Sequence, residues 1–223
     1  MRTDDQTGLK ARKQPRQARS QATVDAIFEA TIQVLLAEGL PKLTTIKVAE
    51  RAGVSVGSLY QYYPQKQALL FALLQRHLTA VSDTLVQAAE SAHGAPLATM
   101  VSTIVGAFVK AKTRNVDASR ALYGVAAELD SRGFVREIEA RNQAAFAAML
   151  ASASDVEFRD IATASFMFTA ALVGPTRMLL EGHASPATIR KLRGQVESLC
   201  LGYLEREALP KPRARRAKTD DAA

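Results

Sequence analysis

The stretch from Leu43 to Leu70, LTTIKVAERAGVSVGSLYQYYPQKQALL, predicts two short helices joined by a tight turn and followed by a third helix. Thr44 can cap the first helix, because its hydroxyl can accept a hydrogen bond from a first-turn amide. Gly53 suits the turn, since glycine adopts a positive φ at little cost. Ser55 can cap the second helix in the same way as Thr44. We therefore expect a helix-turn-helix in this stretch.

The outward side of the second helix of this motif has a composition that is typical of a DNA-reading helix. Two tyrosines and a glycine have little purpose on the solvated side of a helix in a bundle, which is the weaker alternative. Gln61 can pair with adenine through two hydrogen bonds, and Val56 can contact a thymine methyl group. Gly57 lets the backbone approach the duplex. The outward residues are Val56, Gly57, Ser58, Tyr60, Gln61 and Tyr62.

The run AERAGVSVGSLYQYYPQKQALL resembles the DNA-binding signature of tetracycline-repressor-like (TetR family) transcriptional regulators. The resemblance covers Val24 to about Leu85, and beyond that point it extends only to the architecture. It implies base-edge contacts by residues of the outward set, and a ligand pocket beneath the fourth helix. Tyr63 departs from the family, which more often has phenylalanine there, and we expect it to pack inward. The residues that match phosphate-gripping positions are Thr45, Ser55, Tyr60, Tyr62 and Lys66; those that match base-reading positions are Val56, Gly57, Ser58 and Gln61.

The net charge of +7 comes entirely from the two ends of the 223-residue chain. Residues 1–20 carry +4 and residues 210–223 carry +3, so the part between them is neutral. Both ends lack apolar periodicity and are predicted to be disordered. Arg16 and Arg19 lead directly into the helix-turn-helix, so we expect them to contact phosphates without reading sequence. The C-terminal tail is interpreted as a solvated end.

The whole chain predicts an all-α protein of about nine helices, without any strand. The fourth helix should be long, from Lys66 to about Glu90, and the eighth should begin after Asp155 and include Phe158. The predicted organisation is a basic arm at 1–20, a three-helix DNA-binding domain at 21–66, a helical regulatory and dimerisation domain at 67–207, and a disordered basic tail at 208–223.

The eighth predicted helix is apolar on nearly all its sides, which is typical of a helix that is central or shared with another chain. We therefore expect a homodimer formed through the eighth and ninth helices around a two-fold axis. The predicted interface residues are Phe168, Leu172, Leu179, Leu192, Val196, Leu199 and Tyr203.

The helices after the fourth carry many methionine and aromatic residues, which suit either a packed core or an adaptable apolar pocket. Packed core is the default for each residue separately, and the sequence leaves the choice open. The candidate pocket residues are Met100, Phe108, Tyr123, Phe146, Met149, Phe166 and Met178, together with the polar His77, Asn142 and Arg177.

The sequence contains no constellation that predicts a metal site, a cofactor site or a catalytic site. His77, His93 and His183 are far apart and lack companions at ligand spacing. Cys200 is the single cysteine, which excludes an intrachain disulfide and a thiolate cluster. No apolar run approaches the ~20 residues of a membrane span, and the polar first residues do not form a secretory signal. A cytoplasmic, non-enzymatic protein is expected.

These observations together predict a ligand-responsive, one-component transcriptional regulator. We expect a repressor that binds a near-palindromic operator as a dimer and is released by a small, largely apolar effector. A ligand-independent protein that organises DNA is the alternative. The two can be distinguished by comparing the affinities for specific and random duplex.

Overall fold

The structure, a computed structural model, describes residues 18–182 and 184–211. The predictions for Arg16 and His183, and that for the side chain of Arg19, lie outside the described residues. The described part is all-α, as predicted, apart from two short strands. The helices are α1 Ala18–Glu38, α2 Thr45–Ala52, α3 Val56–Tyr62, α4 Lys66–Ser91, α5 Leu97–Thr113, α6 Val116–Glu128, α7 Arg132–Ala151, α8 Ile161–Glu181 and α9 Pro186–Glu207; the strands are β1 Val156–Phe158 and β2 Ala208–Pro210.

The helix-turn-helix, α2 and α3, is defined by side-chain caps at each helix start. The Thr44 hydroxyl accepts a hydrogen bond from the Lys47 amide at 3.3 Å. The Ser55 hydroxyl accepts one from the Ser58 amide at 3.0 Å. Between the helices, Gly53 has a φ of 66°, a left-handed conformation that glycine adopts without a Cβ penalty. The caps and the turn are confirmed.

The core beneath the helix-turn-helix combines α1 to α4 with residues from α6. Val48, Ala49 and Leu59 are completely buried, and Tyr63 packs inward as expected, with its ring centroid 5.7 Å from that of Phe28. Leu122 of α6 belongs to the same apolar cluster. The three helices of the predicted DNA-binding domain therefore do not complete this core alone.

Two compact units make up the described chain. The first contains the described residues of 1–83, 110–140 and 179–184, and the second contains those of 84–109, 141–178 and 185–223. These packing units differ from the functional division that the sequence predicts at residue 66, because α6 helps to fill the first core. The functional division itself stays a prediction.

The segment before α8 is a strand rather than the start of a helix. Phe158 lies in β1 and pairs with Ala208 of the antiparallel strand β2. The helix begins at Ile161, just after Asp160, whose carboxylate accepts a hydrogen bond from the Thr163 amide at 3.0 Å. The prediction that Phe158 belongs to the eighth helix is wrong.

The chain that follows α9 is ordered beyond the predicted limit. Ala208–Pro210 form β2, and the next residue, Lys211, donates from its ammonium to the Ala153 carbonyl at 2.6 Å. The Lys211 amide donates to the Asp155 carbonyl at 2.9 Å. The predicted disordered tail therefore does not begin at residue 208.

The second unit has its own apolar core. Met100, Phe146, Met149 and Phe168 are completely buried in it. The rings of Phe146 and Phe168 meet edge to face, with centroids 5.3 Å apart, an arrangement that aromatic pairs favour. None of the described helices is long and apolar enough to cross a membrane.

Candidate nucleic-acid interface

Two hydroxyl groups join the start of α2 to the exposed side of α3. Thr45 Oγ1 and Tyr60 Oη lie 3.1 Å apart, within hydrogen-bond distance. Thr45 is nearly buried, whereas Tyr60 is 41% exposed. Because each hydroxyl has one hydrogen, the pair uses one of them internally and keeps the other. The remaining O–H can donate to a phosphate oxygen.

A second pair of hydroxyls lies at the start of α3. Ser55 Oγ and Ser58 Oγ are 2.8 Å apart, and the same Ser55 oxygen caps the helix. Ser55 is exposed and Ser58 is half-buried. These short-range bonds hold the serine side chains in place before any ligand arrives.

The predicted base-reading positions of α3 are accessible. Gly57 and Gln61 are exposed, and Val56 is half-buried. A Cβ added at Gly57 would meet no atom of the chain closer than Ser55 Oγ at 3.8 Å, which is ordinary contact. The fold therefore does not require glycine at this position. A glycine at position 57 lets another molecule approach the helix backbone closely, because it has no Cβ.

Tyr62 does not belong to the exposed face. It is 8% exposed, and its hydroxyl lies 2.8 Å from that of Ser20 on α1. The ring centroid lies 6.3 Å from that of Tyr63. Tyr62 follows the buried Leu59 by three residues, and residues three apart share a helix face. The prediction of an outward Tyr62 is wrong, and the residue instead joins α3 to α1.

Lys66, at the first position of α4, is anchored to the segment before α2. Its ammonium donates to the Leu40 carbonyl at 2.9 Å, in the short 3₁₀-helix Leu40–Lys42. An ammonium group has three hydrogens, so two of them remain for other acceptors. The anchored group has a defined position and can still bind a phosphate.

Ile46 is a candidate contact that the sequence reasoning missed. It follows Thr45 in the first turn of α2 and is 54% exposed. Spacing did not separate Ile46 from the inward residues, because it lies three residues before the buried Ala49. An exposed apolar side chain next to α3 suits a thymine methyl group.

Four of the ten candidate pocket residues lie in packed core. Met100, Phe146 and Met149 are completely buried, and Phe108 is nearly so. Phe166 and Met178 are 58% and 75% exposed, so they lie outside this core. Asn142 is half-buried and Arg177 is exposed.

A surface cavity of about 290 Å³ lies elsewhere in the second unit. It contains none of the predicted pocket residues, although it does include Tyr203 from the predicted interface. The lining residues are Phe158, Arg159, Asp160, Thr163, Ala164, Tyr203, Arg206, Glu207 and Leu209.

The predicted dimer residues divide into buried and accessible groups. Phe168, Leu172, Leu192 and Val196 are at most 2% exposed within the single chain, so their predicted placement at an interface is wrong. Leu199 is 49% exposed, and Leu179 and Tyr203 are half-buried. The large exposed apolar residues of α8 and α9 are Phe166, Met167, Met178 and Leu199.

A buried polar cluster in the first unit contains His77 of α4, Lys112 of α5 and Tyr123 of α6. Lys112 is 4% exposed, and its ammonium lies 4.9 Å from the centroid of the Tyr123 ring. Burial lowers the pKa of Lys112 to about 8. Burial, and secondarily the charge of Lys112, lower the pKa of His77 to about 4. The sequence reasoning missed Lys112, since a lysine in the last turn of a helix is usually solvated.

The described residues contain no group of three or more histidine, cysteine, aspartate or glutamate side chains that could hold a metal ion. Cys200 is buried, and burial raises the pKa of its thiol to about 12. The thiolate that reacts with electrophiles and metals is therefore scarce at neutral pH.

Two family models match separate parts of the chain. Residues 27–73 match the family described as bacterial regulatory proteins, tetR family. Residues 96–204 match the tetracyclin repressor-like, C-terminal domain. The first match includes all of α2 and α3, and the second extends from just before α5 into α9.

Two curated relatives are similar over shorter segments. The transcriptional repressor KstR of Mycolicibacterium smegmatis is 35% identical over 89 residues, which is 40% of this chain and 43% of the relative. The transcriptional repressor DrrR1 of Streptomyces coeruleorubidus is 43% identical over 54 residues, which is 24% of this chain and 20% of the relative. The matched segments thus span less than half the length of each relative.

Solved structures resemble the chain over most of its length. A tetR-family regulator from Mesorhizobium loti has a TM-score of 0.69 and 14% identity, covering 86% of this chain and 100% of its own. The fatty acid degradation regulator FadR from Bacillus halodurans has a TM-score of 0.67 and 18% identity, covering 86% and 98%. A transcriptional regulator from Pseudomonas aeruginosa has a TM-score of 0.62 and 22% identity, covering 86% and 96%. At these identities the similarity establishes the fold.

Proposed function

The chain belongs to the tetR family of bacterial regulatory proteins, and from this premise we propose a repressor that binds a near-palindromic operator as a homodimer and is released by a small effector. Members of this family are DNA-binding transcriptional regulators and not enzymes, and they are typically dimers. The name of each curated relative includes the word repressor, which supports repression rather than activation.

The exposed face of α3 is the observation that carries the DNA-binding part of the proposal. Gln61 and Val56 read base edges in the major groove, and Gly57 allows the backbone to approach them. The surroundings of Gly57 support this role, because a Cβ there would make only an ordinary contact and nothing in the chain itself requires a glycine. The Thr45–Tyr60 hydroxyl pair and Lys66 bind phosphates on either side of this face of α3.

Dimerisation through α8 and α9 is supported by their exposed apolar side chains. Phe166 and Met178 on α8 and Leu199 on α9 are each close to half exposed or more. Gly194 and Gly202 of α9 have open space around them in the chain, although a glycine inside a helix costs about 1 kcal/mol relative to alanine. Close packing of a partner helix gives these glycines a purpose. The dimer then holds its two reading helices about 34–36 Å apart, one turn of the duplex.

A charge introduced into this apolar surface tests the dimer. Phe166→Glu is expected to sediment as a monomer at micromolar concentration, because the carboxylate would be buried without a partner at the interface. Glu139→Gln on α7, which alters an exposed position elsewhere, is the control and should remain a dimer. A wild-type monomer under the same conditions would contradict the proposal.

Release of the operator follows from linkage between two binding sites. An effector that prefers a dimer with widely spaced reading helices must weaken DNA binding by the same factor by which DNA weakens effector binding. The dimer itself stays intact during this change. Independent binding of effector and operator would contradict this part of the proposal.

Selection of bound fragments from genomic DNA tests the function as a whole. A repressor should bind the selected operator about 10³-fold or more tightly than random duplex at the same salt concentration. Similar affinities for the two duplexes would contradict the proposal and favour a protein that organises DNA without reading its sequence.

A further inference from the structure

The buried cluster of His77, Lys112 and Tyr123 is not explained by DNA binding or by dimerisation. Transferring an ammonium group out of water costs free energy unless other groups offset the lost hydration. The face of the Tyr123 ring offsets part of this cost for Lys112, since the ring attracts a cation at their separation of 4.9 Å. A methionine would fill similar space without that cost. The Lys112 ammonium thus lies against an aromatic face inside the first unit.

His77 adds a second polar group to the same place. Its Nε2 is buried and has no hydrogen-bond partner among the described residues. The ammonium of Lys112 is close enough for its charge to contribute to the lowered pKa of His77. At neutral pH the histidine is thus uncharged, and Nε2 can donate a hydrogen bond when that nitrogen carries the hydrogen.

We propose that Lys112 and His77 form an anion-binding site for the effector, and that the effector is an apolar molecule with a carboxylate group. This inference rests on the proposed function, because it names the chemical class of the molecule that releases the operator. One carboxylate oxygen accepts from the Lys112 ammonium, and the other accepts from His77 Nε2.

The helices that carry the cluster suit the rest of such a ligand. Leu74 on α4 and Leu122 on α6 are buried and belong to one apolar cluster. The proposal places the hydrocarbon part of the ligand among apolar side chains of these helices. Burial would strengthen the ion pair, since the attraction between charges increases as the local dielectric constant falls.

A structural role for Lys112 is the competing explanation. Lysines in the last turn of a helix are stabilised by the carbonyl groups that end it, and Lys110 lies in the same turn of α5. Lys110 is exposed, which makes it a matched control. If Lys112 were structural, Lys112→Met would lower the unfolding temperature of the protein. Our proposal expects the carboxylate preference to be lost in Lys112→Met and kept in Lys110→Met.

The ligand experiment compares carboxylates with alcohols of the same chain length. Hexanoate, decanoate and tetradecanoate, and the three matching alcohols, are titrated calorimetrically into the full-length wild type at about pH 7. At least one carboxylate is expected to bind about 10-fold or more tightly than its alcohol. The preference should disappear in Lys112→Met, weaken in His77→Gln and persist in Lys110→Met.

The pH dependence of binding identifies the group that holds the anion. The titratable side chains that lie against the Lys112 ammonium include His77 from α4 and Tyr123 from α6. Carboxylates stay ionised between about pH 7 and about pH 9.5, whereas Lys112 loses its proton in that range. Affinity in the wild type should therefore fall over this interval. Lys112→Arg should bind the carboxylate with little change, because arginine stays charged.

Several outcomes would overturn the inference. These are equal affinity for every carboxylate and its alcohol, a preference that survives in Lys112→Met, and equal loss in Lys110→Met. Operator binding is measured separately without ligand, so a failure of the proposed function is recognised on its own. Carboxylate binding could require Lys112 and still leave the affinity for the operator unchanged. This result would support the anion site and contradict release of the operator by the carboxylate.

Discussion

The face of α3 and the cluster around Lys112 use polar side chains in opposite environments. Tyr60 and Gln61 are exposed to solvent, and the hydroxyl of Tyr60 is positioned by its neighbour Thr45. Lys112 and His77 are withdrawn from water, and burial is the main cause of their lowered pKa values. Substitutions of the exposed residues of α3 should consequently change binding without changing stability. Substitutions in the buried cluster should change stability and its dependence on pH.

Lys112→Met is expected to have the largest effect on stability. The pKa of Lys112 is lowered from 10.5 to about 8 in the folded protein, so between these pH values the unfolded chain binds more protons. The free energy of unfolding of the wild type should therefore rise by roughly 3 kcal/mol as pH increases through this range. The methionine variant should lack this rise. Urea titrations at several pH values measure the free energy of unfolding, with Lys110→Met as the control.

His77→Gln should change the stability of the protein at acidic pH. The pKa of His77 is lowered from 6.5 to about 4, so the unfolded chain binds more protons between these values and stability falls as pH decreases. The loss amounts to roughly 3 kcal/mol or somewhat less, because the side chain retains some contact with solvent. Urea titrations of the glutamine variant should show a smaller decrease between about pH 6.5 and 4. An unchanged decrease would contradict the assignment of the titration to His77.

Gln61→Ala and Lys66→Ala should weaken DNA binding in different ways. The loss of Gln61 should cost about 1–3 kcal/mol on the selected operator and relax specificity at one base pair. The loss of Lys66 should weaken binding to all sequences evenly and reduce the salt slope by about 1 for each site lost. Titrations of operator and random duplex at several salt concentrations measure both effects. If the two variants behave alike, the division between base reading and phosphate binding is wrong.

The sequence was most informative where structure depends on neighbours within a few residues. Thr44 and Ser55 cap helices through amides three residues away, and Gly53 allows the turn between those helices. These interactions can be predicted because they need no distant partner. The prediction for Tyr62 is wrong, although its spacing of three residues from the buried Leu59 indicates the inward face.

Prediction failed where the outcome depends on distant packing. The helix α8 is apolar on most sides, so its sequence alone does not decide that Phe168 is buried and Phe166 is exposed. The strand at Phe158 exists because residues 208–210 return to pair with it. The burial of Lys112 likewise depends on α4 and α6. Helix periodicity contains no information about such partners.

Gly57 offers the most direct test of the claim that α3 reads DNA. Gly57→Leu should retain the stability of the wild type, because Gly57 is exposed and a Cβ there meets no atom of the chain closer than 3.8 Å. Gly124→Leu is the matched control, since Gly124 is another exposed helical glycine with open space around it. Both variants should have an unfolding midpoint in urea equal to or slightly above that of the wild type.

The deciding measurement is the affinity of these two variants for the selected operator at one salt concentration. The side chain in Gly57→Leu would lie between the helix backbone and the bases, so we predict a loss of about 100-fold, or roughly 2.7 kcal/mol. Gly124→Leu should bind as the wild type does. Equal operator affinity for wild type and Gly57→Leu, with both proteins folded, would contradict the placement of this face of α3 against DNA.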